Sequence, residues 1–256
     1  MTKRYRTNCT VTLALVAFCV GSAVTLLRAQ TPAVRPASAS KVLIDEPLGE
    51  VGQKVTMTSL PVPKGITVTE HSHQGPVFAY ILEGNIENQV DPDPAKIYHP
   101  GDFFHEPAMH VHRLLRNLSS TEPARLITFT VGETGKVGEV AKPNPAIRTL
   151  LLEQAEVANR QGRLSILSLE PGWWGAGFQG GGAHQHPGPI FAYILKGTIE
   201  SQVDPDPART YRAGDVFYEP QMHAHRLFRN ASQSEPAELL MFQIFDKGAP
   251  TALGVK

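Results

Sequence analysis

The chain has 256 residues, 41% of them hydrophobic and 19% charged, with 24 Lys/Arg against 24 Asp/Glu. That balance provides no basic surface of the kind a nucleic acid requires, so no nucleic-acid partner is expected.

Residues 1–29 read as a segment for export. Lys3, Arg4 and Arg6 precede an apolar run from Val11 to Leu27, and Ala29 is a small residue at a plausible cut. The pattern predicts a cleaved signal peptide and a periplasmic or extracellular protein. The competing reading is an uncleaved anchor, since a mainly apolar run of 17 residues can just span a bilayer. Membrane contact is expected through this segment alone. Both cysteines, Cys9 and Cys19, fall inside it, so the remainder has no disulfide and no thiolate ligand. Its removal takes four Lys/Arg and no acid, leaving a net charge of −4. Residues 30–41 are rich in Pro, Ala and Ser and read as a disordered linker. About 215 residues follow, enough for two domains that each bury a core.

A long internal repeat then organises the sequence. His71–Asn117 aligns without gaps to His184–Asn230 at an offset of 113, with 32 of 47 positions identical. The period is too long for a solenoid unit, so it marks two whole domains of one fold, at 42–135 and 150–256, joined by a linker over 136–149.

Both domains read as all-β. The runs at 55–60 and 163–169 alternate and end in Pro/Gly turns. VFAYIL and IFAYIL are strands stopped by Gly84 and Gly197, with IENQV and IESQV as their return strands. Asp-Pro-Asp-Pro at 91–94 and 204–207 marks a turn, because proline cannot continue a central strand. Further strands follow Gly101 and Gly214, then HRLLRN and HRLFRN, then LITFTV and LLMFQIF. Turn signals about every ten residues indicate a sandwich or small barrel. Leu150–Asn159 is the one stretch that reads as a short helix or turn.

Eight of the ten histidines occupy matching positions in the two copies. In extended chain, residues i and i+2 share a face, so His71 and His73 converge on one point, as do His184 and His186. A third nitrogen must come from another strand, and His112 and His225 are the candidates. Neutral imidazole suits zinc, copper, iron and nickel. Three nitrogens with open positions describe a catalytic metal centre rather than a closed structural one. The expectation is one divalent transition metal per domain: zinc, copper, manganese or iron.

These residues resemble the cupin superfamily, in its two-domain bicupin form. Gly65, His71, His73 and Gly84 fit the spacing of the first cupin motif, and Gly101, Pro107 and His112 the second, with Asn117 one place late. In the second domain His184, His186, Gly197, Gly214, Pro220, His225 and Asn230 fit. The resemblance implies two tandem jelly-roll-like barrels (the double-stranded β-helix) with a metal inside each mouth. The sequence departs from the motif twice. The glutamate ligand falls at Val77 and Ile190, and Met109 and Met222 stand where the second motif has glycine. Loss of the glutamate predicts a neutral three-histidine set and a more strongly Lewis-acidic ion. Glu106 and Glu219, Gln89 and Gln202, or His110 and His223 are left as possible fourth ligands. Glu106 and Glu219 are also the candidate catalytic proton acceptors, if burial raises their pKa. The competing reading pairs them with Arg113 and Arg226.

Tyr80 and Tyr193 read as core aromatics. The glycine-rich stretch 172–182, with Trp173 and Trp174, reads either as a wall over the second metal or as a loop packed at the interdomain contact. Asn117-Leu-Ser and Asn230-Ala-Ser sit at the family's structural asparagine and are not read as glycan acceptors. Two functions remain open. One is an exported metal-dependent enzyme, of dioxygenase or lyase type as in quercetinase-like bicupins, acting on a small oxygenated organic substrate, with a homo-oligomer left open as its assembly. The other is a non-catalytic module that uses the same cavities to hold a metal or small ligand.

Overall fold

The computed structural model describes residues 38–47, 54–68, 70–132, 149–154, 160–175 and 183–255. The signal-like segment and most of both predicted linkers lie outside these residues. Among the described residues there is no helix, and twenty strands form four sheets. In chain order they are β1 (Ser38–Pro47), β2 (Lys54–Val62), β3 (Thr67–Val68), β4 (His71–Ser72), β5 (Val77–Glu83), β6 (Ile86–Val90) and β7 (Lys96–Tyr98). The first half closes with β8 (Phe103–Glu106), β9 (Val111–Asn117) and β10 (Ala124–Gly132). The second half has β11 (Thr149–Gln154), β12 (Gln161–Leu169), β13 (His184–Gln185), β14 (Ile190–Lys196) and β15 (Thr198–Val203). It ends with β16 (Arg209–Arg212), β17 (Val216–Glu219), β18 (Ala224–Asn230), β19 (Ala237–Phe245) and β20 (Leu253–Gly254).

Each half is a barrel of two five-stranded sheets, and one sheet of each is completed by a strand from beyond it. The order β11-β2-β10-β5-β8 places the strand that precedes the second half on the edge of the first. The order β1-β12-β19-β14-β17 does the reverse. Two expectations are corrected here. Residues 38–41, expected in a disordered linker, pair with β12, Ser38 lying opposite Leu169 and Lys41 opposite Ile166. Leu150–Gln154, expected to be helical, pairs with β2, and residues 155–159 lie outside the description. The apolar run LLLEQ has no decisive period of its own, and the open edge of β2 gives its backbone a partner.

Strand alternation divides the side chains between two cores. Along β5, Val77, Ala79 and Ile81 face the first barrel, whereas Phe78 and Tyr80 face the other half. Along β19, Leu239 faces the second barrel, while Leu240, Phe242 and Ile244 face the first half. The outward sets meet in one interdomain core, in which the Phe242 ring stacks on Phe129 at 4.9 Å and lies 4.9 Å from Phe78. Tyr80 and Tyr193 belong to this core.

Two backbone features position the histidine pairs. A Cβ on Gly75 or Gly188 would lie 1.8 Å from the carbonyl oxygen of Val131 or Ile244, so only glycine lets the chain after each pair lie against β10 or β19. Met109 and Met222 have φ of 64° and 61°, the left-handed region that the motif glycine enters freely and other residues enter at about 1–2 kcal/mol. Their N–H groups donate to the carbonyls of His73 (2.7 Å) and His186 (2.8 Å), clamping the second histidine of each pair.

Candidate metal centres

The third histidine of each set lies directly across a strand pair from the first: His71 faces His112 between β4 and β9, and His184 faces His225 between β13 and β18. Both trios are buried, apart from a half-buried His186. The i, i+2 spacing brings the Nε2 atoms of His71 and His73 to 3.1 Å and those of His184 and His186 to 2.8 Å.

The third ring is turned by its outer nitrogen. His112 Nε2 lies at hydrogen-bond distance from Asn88 Oδ1 and 3.0 Å from Leu114 O, which leaves Nδ1 facing inward. His225 Nε2 is 2.9 Å from Ser201 Oγ. His186 Nδ1–H donates to Thr251 O at 2.6 Å, which fixes Nε2 as the nitrogen with a free lone pair. Gln243 Nε2 donates to the same carbonyl at 2.7 Å. The C-terminal segment thus orders the second site, since β20 also pairs with β13.

Glu106 and Glu219 complete the clusters. Val77 and Ile190, which stand at the motif glutamate position, are the direct cross-strand partners of Glu106 on β8 and Glu219 on β17. The carboxylate has therefore moved one strand across the sheet and still points inward. Glu106 Oε2 lies 3.1 Å from His112 Nδ1 and 3.5 Å from His73 Nε2. Glu219 Oε2 stands at the same distances, 3.1 Å and 3.5 Å, from His225 Nδ1 and His186 Nε2. This corrects the expectation of a neutral three-histidine set. Arg113 instead pairs with Asp91 and Glu70, and Arg226 with Asp204. His110 and His223 are exposed and hydrogen-bonded to the carbonyls of Asp91 and Asp204, so neither enters a cluster. Gln89 follows the buried Asn88 on β6, so its side chain lies on the opposite face of the strand.

The donor sets fit an ion. All four donor atoms of each group lie within 4.8 Å of one another. Ligand atoms held ~2.1 Å from a shared ion stand ~3.0 Å apart at right angles and ~3.4 Å apart at tetrahedral angles, close to the spacings seen. His112 Nδ1 and His225 Nδ1 are buried without a hydrogen-bond partner, although a carboxylate oxygen lies 3.1 Å from each.

Burial alone would raise the carboxyl of Glu219, but His225, His186 and His184 outweigh it and hold its pKa at about 2. Glu106 is lowered for the same reasons. A proton acceptor needs the opposite shift, so these carboxylates suit charge donation to a cation better than general-base work. His184 is pushed down to about 3, first by burial and then by the neighbouring histidines. Both groups bind protons more weakly folded than unfolded, so their stabilisation is complete above the unfolded pKa and is lost on acidification. For metal-free protein, the melting temperature is expected to fall from pH 6.5 downward as His184 contributes, and more steeply below 4.5 as Glu219 joins it. Calorimetric scans between pH 7 and 3 check this, and a flat profile would refute it.

The halves differ in the space around their clusters. The first encloses about 20 Å³ among Leu60, Val68, Phe104, Leu115 and Leu126, room for one water-sized occupant. The second opens into about 390 Å³, within the range of small-molecule sites. Trp173 lines this cavity and packs edge-on against Phe228 at 5.7 Å, so it is an aromatic wall of the site rather than part of the interdomain contact. Trp174 is exposed, and residues 176–182 lie outside the description. Asn117 and Asn230 are buried and tie their loops through side-chain hydrogen bonds, the structural role expected of them.

Comparison with known proteins agrees with the architecture. A search of curated protein sequences finds no match. AerE from Microcystis aeruginosa superposes with a TM-score of 0.55 at 14% identity, covering 80% of this chain and 99% of that one. Oxalate decarboxylase from Bacillus subtilis at pH 4.6 gives 0.54 at 14% identity, covering 88% and 81%. A structure of the same Bacillus enzyme concerned with its Mn(II) centres gives 0.52 at 15%, covering 84% and 79%. At such identities the likeness is one of fold. The profile of the cupin domain matches residues 60–130 and 166–243, more than half of the chain, so this protein belongs to the cupin family as a two-domain member.

Proposed function

We propose that this chain is an exported metal-dependent enzyme that acts on a small oxygenated organic molecule. The observation that carries the reading is the second cluster, where three histidines and a carboxylate line a cavity of about 390 Å³. A purely storage or scaffold role needs no such space. A bound divalent ion would supply Lewis acidity toward a substrate oxygen. The protein's part is to hold that centre and shape its surroundings. Glu219 lowers the net charge of the site, Thr251 O and Ser201 Oγ orient His186 and His225, and Trp173, Phe228 and Met241 exclude water from one side. The mixed nitrogen and oxygen donor set suits manganese, iron, zinc or copper. The signal-like segment supports export.

Elemental analysis of the purified protein is expected to find close to two equivalents of one transition metal per chain. No metal, even after reconstitution, would leave the binding-module reading. A finer test exploits the displaced carboxylate. Glu106→Val is expected to lose one equivalent, and Val77→Glu/Glu106→Val to regain it, because the two positions face each other across β5 and β8. Failure of the double variant to recover metal, with its fold intact, would argue against Glu106 as a ligand.

A further inference from the structure

The first half has a second space, away from its histidine cluster. It measures about 400 Å³ and is lined by β6, by β7 and β8, which are the edge strands of the two sheets, and by the turn at 91–94. None of the four grouped donors lines it. Phe104 borders both this cavity and the small space around the histidines, so it stands between them. Asn88 stands at the same division. It is 3% exposed, lines the cavity, and accepts the hydrogen of His112 Nε2 on its Oδ1. A carboxamide has a second arm, with two N–H donors. Among the described residues, Asn88 Nδ2 has no hydrogen-bond partner.

The second half shows that this arm is not needed to hold the histidine. Ser201 stands 113 residues on from Asn88, and its hydroxyl lies 2.9 Å from His225 Nε2. A hydroxyl suffices there, so the nitrogen of Asn88 is spare for the metal ligand. A buried N–H without an acceptor is destabilising, and an oxygen entering from the cavity would satisfy it. The other walls define the rest of the ligand. Val90, Pro94 and Phe104 are apolar, and Tyr98 packs against Phe104 with ring centroids 5.3 Å apart. Lys96 and Asp93 are exposed and of opposite sign, and Asp91 is paired with Arg113. A charged head beside the buried Asn88 would therefore lose its water without gaining a counter-charge.

We propose that this cavity is a ligand site of the first half, separate from both histidine clusters, and that it takes a small uncharged carbonyl compound with an apolar body, whose oxygen accepts a hydrogen bond from Asn88 Nδ2. The same amide then links ligand and ring, its nitrogen reading the carbonyl while its oxygen holds His112. The site does not require either cluster to bind metal, so its failure would leave the metalloenzyme reading standing.

The test is an NMR titration of the full chain, in the presence of zinc, with acetophenone and benzoate as probes. Two signals report on the cavity: the side-chain amide of Asn88, identified by its loss in Asn88→Ser, and the methyl groups of Val90. Acetophenone is expected to shift both along one saturating curve, and benzoate to bind about ten-fold more weakly. With affinity read from the Val90 methyls, Asn88→Ser is expected to bind acetophenone about five-fold more weakly, the value of one neutral hydrogen bond. Asn88→Asp, which keeps the acceptor toward His112 but turns an acceptor toward the carbonyl, is expected to lose about ten-fold. Unchanged methyl signals from Leu239, in the core of the second half, show that each variant is folded. An Asn88 amide signal that stays still in the wild type, where no variant is needed, would overturn the proposal. So would benzoate binding as tightly as acetophenone, or wild-type affinity in both variants.

Discussion

His225→Ala is expected to remove one of two metal equivalents and reduce turnover to background, whereas His112→Ala removes one equivalent and leaves most of the turnover. The asymmetry follows from the cavities rather than from the ligand sets, which are alike. Each third histidine is buried, faces the first histidine of its pair across two strands, and has its outer nitrogen engaged. Its loss leaves two nitrogens and a carboxylate, and removes the nitrogen turned inward beside that carboxylate. In the first half only a water-sized space is disturbed, while in the second the cluster lines the cavity proposed to take the substrate. Elemental analysis beside steady-state rates checks both arms. Equal loss of rate in the two variants would mean that the halves act together.

Phe242→Ala is expected to destabilise the whole protein by about 3–5 kcal/mol, the usual cost of emptying a buried aromatic position. Phe242 is fully buried and meets Phe129, Phe78 and Phe191, two of which come from the other half. The cavity would open in the contact that joins the halves, so the loss falls on both together. Urea unfolding is expected to shift as one transition with a lower midpoint. Two separated transitions, with one half unmoved, would show that the halves unfold independently.

The histidine trios were legible in the sequence because their signal is local. An i, i+2 pair converges in any extended strand, and the repeat supplied a second copy of the same spacing. The barrels were legible from turn residues at regular intervals. The carboxylate ligand candidate was only half legible. Counting along the motif lands on Val77 and Ile190, whereas the acid stands opposite them on another strand, and cross-strand register is not written in either segment alone. The same holds for Leu150–Gln154, whose strand state is set by the edge of β2. The inequality of the cavities is less legible still. It depends on Trp173, Arg163, Gln243 and the C-terminal segment meeting from distant parts of the chain, against a background of 32 identities in 47 aligned positions.

The crossed arrangement of β1 and β11 bears on how such a molecule arises and how it can be dissected. Each strand completes a sheet whose other members belong to the opposite half. A first half expressed alone would carry β1 with no β12 to receive it, and a β2 edge with no β11 to cover it. A second copy of the same half offers both missing partners at once, by reciprocal exchange. The architecture is therefore that of a symmetric pair of single-domain chains fused end to end. An isolated half is expected to seek its own duplicate, and a linker between fused copies needs only to preserve the crossing. The two halves share these sheets while differing around their histidine clusters, one closed and one open.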